Sequence, residues 1–194
     1  MDEEGRTIAQ LFEDRLNPQR SEGRHREGHR QILRIALQPV MDRYDYIIID
    51  CPPSLGTVTK NGLRISTGYV IPTIPDIVST WGIYQIVDNV HRFANDIGLP
   101  IPALGIVATK VQANNLHNRV IADLRAQRLG QFAEEGGLAQ PPLFTNVIPQ
   151  TVAVARGADV DADIKTFKGK YGGANDALQG LTREIKQKCE TKER

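Results

Sequence analysis

Apolar positions along this chain switch repeatedly between helical spacing and short continuous runs. Ile32, Leu33, Ile35, Ala36, Leu37 and Val40 recur at helical intervals. The uninterrupted run Ile47–Ile49 then predicts a strand, Tyr44–Asp50, of the kind buried on both faces of a parallel sheet. Pro52 and Pro53 cannot donate ladder hydrogen bonds, so the strand is expected to stop at Asp50. That places the carboxylate at the carboxyl end of a strand, the edge where open α/β sheets bind ligands.

The alternation continues downstream. A helix is expected at about Val58–Ser66, a strand at Gly68–Ile74, and a helix capped by Ser79 or Thr80 that runs to about Ala94. Within that helix Ile83, Ile86, Val87, Val90 and Phe93 form one stripe, the mark of a core-facing surface. Ile101–Thr109 reads as a strand, Leu116–Leu129 as a helix, and Leu143–Ile148 as a short strand ended by Pro149. A closing helix, Asn175–Lys188, carries its cations at the end that suits the helix macrodipole. Strand–helix alternation of this kind predicts right-handed βαβ units, hence an α/β fold with a mostly parallel sheet flanked by helices. Upstream, Thr7 is a candidate cap for a helix to Leu16. Asn17 to Arg30 reads as a solvated basic linker, with Arg20, Arg24, Arg26 and Arg30 against Glu22 and Glu27. The 194 residues are expected to form one α/β domain, with 17–30 as a flexible linker inside it.

Composition narrows the function classes. With 40% apolar and 24% charged residues, the chain has the makeup of a globular protein. Its formal charge of +1 implies no general affinity for nucleic acid or for a membrane surface. No apolar run is long enough to span a bilayer, and the polar, acidic start is unlike a signal peptide, so the expected location is the cytoplasm. Cys51 and Cys189 are too few and too far apart for a disulfide framework or a zinc site. His25, His29, His91 and His117 show no metal-ligand spacing.

On residue chemistry alone, Asp50 has two readings: a ligand-edge carboxylate of the kind that holds magnesium in P-loop NTPases, or a turn cap. The segment Asp50-Cys51-Pro52-Pro53-Ser54-Leu55-Gly56, with Asn61-Gly62-Leu63 after it, resembles the Walker B and switch II region of the ParA/MinD-type deviant Walker ATPases, above all ParA-type partition proteins. Tyr69–Pro75, Gly82–Val90, Leu104–Lys110, Val147-Ile148-Pro149 and Lys170-Tyr171-Gly172-Gly173 resemble later segments of the same family, in family order.

The resemblance implies a P-loop NTPase fold and roles for particular residues. Asp50 takes the magnesium side, acting through water, and Pro52, Pro53 and Ser54 form the loop that responds to the γ-phosphate. Thr109 and Lys110 lie beside the base or ribose, and Ile148 and Pro149 beside the adenine. The implied cofactors are ATP and magnesium. The implied partners are a second copy of the chain, a centromere-binding partition protein and non-specific DNA, in plasmid or chromosome segregation with the nucleoid as a possible address. DNA contact would draw on basic residues such as Arg156, Lys165, Lys168 and Lys170, with Arg183, Lys186 and Lys188. Gln150 stands where relatives commonly carry a basic residue, which weakens that assignment.

The sequence contains nothing that fits G-x-x-x-x-G-K-[ST]; its single Gly-Lys pair, Gly169-Lys170, is followed by Tyr171. The resemblance therefore matches the family from just after its switch I region. A phosphate loop works through converging backbone N–H groups and a helix N-terminus, which Asp50 alone cannot replace. The expectation is a ParA-like fragment or split subunit that does not hydrolyse ATP unaided and is completed by an N-terminal fragment. The alternative is a nucleotide-free interaction module that retains the dimer or partner surface. A bacterial tyrosine kinase with the same core is disfavoured, because no tyrosine follows Tyr171.

Overall fold

A computed structural model describes residues 32–52, 54–134, 137–156 and 166–190. The expected Thr7–Leu16 helix and the 17–30 linker lie outside those residues. The chain divides into two compact units, one ending at Ser66 and one beginning at Thr67, and each is described by itself.

In the first unit, α1 (Ile32–Met41) and α2 (Thr57–Ile65) lie against each other. Between them the expected Tyr44–Asp50 strand does not form. Residues 46–52 run without secondary structure; Ile48 is 95% exposed and Ile47 is exposed as well. A strand exists only through its neighbour, and no described residue forms a ladder with this run. One side of the run does have a partner. A Cβ at Gly62 of α2 would meet Ile49 Cγ2 at 3.3 Å and Cys51 Sγ at 3.4 Å, so the run passes close over that helix. Thr59 Oγ1 donates to Ser54 O at 2.6 Å and so ties the start of α2 to the loop after the prolines.

The second unit is a layered α/β structure. Strands β1 (Tyr69–Thr73) and β2 (Ala103–Ala108) pair in parallel, with Thr73 opposite Ala108, and α3 (Ile77–Ile97) makes the crossover between them. The helices α4 (Asn115–Arg125), α5 (Gly130–Glu134), α6 (Val152–Arg156) and α7 (Phe167–Tyr171) follow, and after a 3-10 turn at Gly172–Ala174 α8 (Asn175–Glu190) closes the chain. The register skips Leu104, and this irregularity puts Leu104 in the same core as Val107 rather than that of Ile106.

Apolar side chains fill both faces of the sheet. On one, Ile71 and Ile106 pack with Ile83 and Val87 of α3, Val120 and Leu124 of α4, and Phe132. On the other, Leu104, Val107, Phe144 and Ile148 pack with Leu178, Leu181 and Ile185 of α8. Burial on both faces explains the continuous apolar run in β2.

Three local expectations are corrected. The cap of α3 is Asp76, whose side chain accepts from Ser79 N–H at 2.6 Å, and neither Ser79 nor Thr80 fills that role. Ile86, expected on the core stripe, is exposed, while Ala94 is buried instead. Leu143–Ile148 forms no continuous strand; it meets β2 at an isolated parallel bridge, Ile106 to Leu143, and again through Ile148 N–H to Ala108 O, with a second bridge from Pro149 to Val111 beyond the strand end. The reason is a competing acceptor. Thr145 N–H and Asn146 N–H donate to the Glu184 carboxylate of α8, at 2.7 and 2.9 Å, and are lost to any ladder.

Candidate nucleotide edge

The carboxyl ends of β1 and β2 converge on a small network of main-chain bonds. Thr109 N–H donates to Thr73 O at 2.7 Å, which carries the parallel pairing one residue beyond β2. Lys110 then turns the chain with φ +51°, a left-handed conformation uncommon outside glycine. Past that turn, Val111 N–H donates to Ile148 O at 3.0 Å and Gln150 N–H to Val111 O at 2.9 Å, while Ile148 N–H donates to Ala108 O at 2.8 Å. The structure thus brings together the four residues singled out for the base side: Thr109, Lys110, Ile148 and Pro149. Ile148 is buried beneath the edge, whereas Lys110 is exposed and presents its charge to solvent.

Polar residues not singled out for this edge by their sequence pattern frame it. The Gln112 side-chain amide donates to Gln150 Oε1, joining the two segments a second time. His117, buried in the first turn of α4, accepts Gln112 N–H at Nδ1 at 3.1 Å. Asn114 caps α4 by accepting His117 N–H at 2.8 Å. Asp76 stands at the start of α3, just past β1. Ser79 N–H holds its carboxyl below the usual range against the upward push of burial, helped by the Ser79 hydroxyl, Val78 N–H and the charge of His117. The Asn-x-x-His spacing at the head of an amphipathic helix is the one sequence signal that points to the His117 arrangement.

In the first unit, Asp50 is exposed and its charge, after burial, helps push the neighbouring Cys51 thiol up. Pro52 and Ser54 sit in the loop held by Thr59, and Pro53 lies outside the described residues. No group of three or more His, Cys, Asp or Glu side chains gathers as a metal site among the described residues. A lone exposed carboxylate does fit magnesium, which keeps several waters and takes much of its remaining coordination from substrate phosphates. Of the basic residues considered for DNA, Lys168 and Lys170 lie in the last turn of α7, with Lys170 Nζ 5.8 Å from the centre of the Tyr171 ring. Lys165 and the side chain of Arg156 lie outside the described set.

A cleft of about 700 Å³ opens at the opposite, amino-terminal edge of the strands, lined by residues that include Tyr69, His91, Asn95, Leu99, Pro102 and Pro141. Burial pushes the Tyr69 hydroxyl up to about 12. No carboxylate, lysine or arginine side chain lines this cleft. Among the described residues no helix is long and apolar enough to cross a membrane.

The fold and sequence have relatives among known proteins. Residues 13–100 match the model of a family described as an AAA domain. The sporulation initiation inhibitor protein Soj of Bacillus subtilis is 36% identical over 154 residues, covering 79% of this chain and 56% of that protein. The chromosome partitioning protein ParA of Myxococcus xanthus is 28% identical, over 79% of this chain and 50% of its own length. An uncharacterised protein of Mycobacterium tuberculosis is 32% identical over 81% of this chain and 46% of its own. Among solved structures, one described as a plasmid partition protein from Borrelia burgdorferi bound to AMPPNP superposes with a TM-score of 0.53 at 19% identity, covering 84% of this chain and 57% of that one. Apo McdA from Cyanthece gives 0.54 at 14% identity, over 77% and 59%. The chain belongs to the ParA/MinD-type family of P-loop ATPases. It spans about half the length of the curated relatives it matches.

Proposed function

We propose that this chain supplies the carboxyl-edge components of a ParA-type partition ATPase that acts in plasmid or chromosome segregation. The observation that carries the reading is the junction of 109–111 with 148–150 at the ends of two parallel strands, made by main-chain bonds that no particular side chain needs to provide. Ligands of open α/β sheets bind at this edge. Thr109 and Lys110 take the base or ribose side, with Ile148 and Pro149 against the adenine. Asp50 is the magnesium-side carboxylate, and Pro52, Pro53 and Ser54 form the loop that senses the γ-phosphate.

Tight binding of Mg-ATP and its hydrolysis depend on a phosphate loop, and no motif for one lies within these 194 residues. The proposed partners are a second copy of the chain or a complementing N-terminal fragment, a centromere-binding partition protein and non-specific DNA. Lys168 and Lys170, with Arg156 and Lys165, are the proposed DNA contacts, and their effect should fall steeply with salt.

The exposed Ile77, Val78 and Trp81 at the head of α3 favour a second reading, an interaction module that works without nucleotide. Calorimetric titration with Mg-ATP separates the two. The expected result is weak binding by the chain alone and micromolar binding with turnover once the phosphate-loop fragment of a close relative is co-expressed. No association with that fragment, together with retained binding of a partition partner by a folded monomer, would overturn the first reading in favour of the second.

A further inference from the structure

We propose that His117 is a positioning residue for the Lys110–Gln112 turn, holding it in place by accepting the Gln112 main-chain N–H on Nδ1. The proposal rests on the base-side reading of this edge. Lys110 holds a left-handed conformation that a lysine adopts at some cost, so the turn needs an external restraint. His117 provides one from a different element. Its ring is buried in the first turn of α4, and its own N–H is fixed by the Asn114 cap. Gln112 in turn reaches Gln150, and Val111 reaches Ile148, so one imidazole lone pair supports both segments that form the edge.

The bond requires a neutral ring with its proton on Nε2, because a protonated imidazole has two donors and no acceptor. Asp76, at the start of α3, is an acidic group on which the charge of His117 acts. Acidification across the range in which histidines gain charge should therefore release the turn while the sheet stays intact.

Amide hydrogen exchange on the full chain tests this without any nucleotide. Between pH 8 and pH 5, after correction for intrinsic rates, Gln112 N–H should lose at least tenfold in protection while Ile106 N–H keeps its own. His117→Asn, whose Oδ1 approximates the position of Nδ1, should retain protection of Gln112 within about threefold and abolish its pH dependence. His117→Phe should lose it at every pH. Unchanged protection of Gln112 in His117→Phe, or no release in the unmodified protein on acidification, would overturn the proposal. Where His117→Phe fails to fold, the unmodified protein and His117→Asn decide it. Nucleotide affinity of the complemented complex is then measured with the same variants. A turn that loosens with no change in affinity leaves the anchoring intact and removes the base-side reading.

Discussion

Thr109 gives both of its donors to a single acceptor: its N–H reaches Thr73 O at 2.7 Å and its Oγ1 reaches the same oxygen at 3.1 Å. The two residues are 36 apart in the chain and end neighbouring strands. One carbonyl at the close of β1 thus sets where the chain leaves β2 and where Lys110 turns.

Thr109→Val keeps the shape of the side chain and its main-chain bond but removes the hydroxyl. The expected loss is about 0.5–1.5 kcal/mol, the net worth of one hydrogen bond, read as a lower urea midpoint with an unchanged slope. Thr109→Ser, which retains the donor, should recover most of it. Equal losses in both variants would mean that the methyl group, and not the hydroxyl, is what matters.

Glu184 links the closing helix to the loop that would otherwise be a strand. Burial pushes its carboxyl up, but the Asn146 side chain and the Thr145 and Asn146 N–H groups more than offset this and hold it below the usual range. A group whose folded value is depressed contributes its full stability above the unfolded value and loses it as pH falls toward the folded one. Glu184→Ala should cost about 1–3 kcal/mol near neutral pH, as expected for charged hydrogen bonds. The gap between variant and parent should close as pH is lowered below about 4.3. Melting temperatures of both from pH 7 to pH 3 check this, and a gap that widens on acidification would refute it.

Gly180 faces the same contact from α8. A Cβ there would overlap the Asn146 side chain, which Glu184 already pins in place. Helix propensity favours Gly180→Ala by about 1 kcal/mol. Overlap in a packed site costs about 1–3 kcal/mol. A net loss of stability is expected, and restoration by a second change, Asn146→Gly, would locate its cause.

Ile48 is 95% exposed in the isolated chain, so Ile48→Ser should change its stability by no more than about 0.5 kcal/mol. If a phosphate-loop polypeptide covers this run, the same change removes burial worth roughly 1.5–3 kcal/mol. That is about ten- to a hundredfold in the dissociation constant, measurable by analytical ultracentrifugation. Asp50→Asn should likewise leave the isolated fold untouched while lowering turnover of the complemented enzyme by about a hundredfold or more.

Much of the layered fold was readable in the chain because it rests on local spacing. The stripe Ile83, Val87 and Val90 and the run Ile106–Ala108 announce a helix and a buried strand. The ends of such runs at Thr109, Lys110 and Pro149 were legible too, but the base-side role proposed for them came from the family resemblance and not from spacing. What spacing cannot carry is the identity of a neighbour. Ile47–Ile49 has the composition of a buried strand, yet burial and pairing belong to whatever lies alongside, and here Ile48 faces solvent. Leu143–Ile148 has strand-like residues too, but a carboxylate from a helix 38 residues further on takes the N–H groups a ladder would need. The Asp76 cap and the His117 anchor are local by contrast, three and five residues from their donors, and were missed because several polar residues nearby could have filled the same role. Periodicity is a property of consecutive residues, whereas hydrogen-bond partnership and solvent exclusion exist only once the chain has folded back on itself.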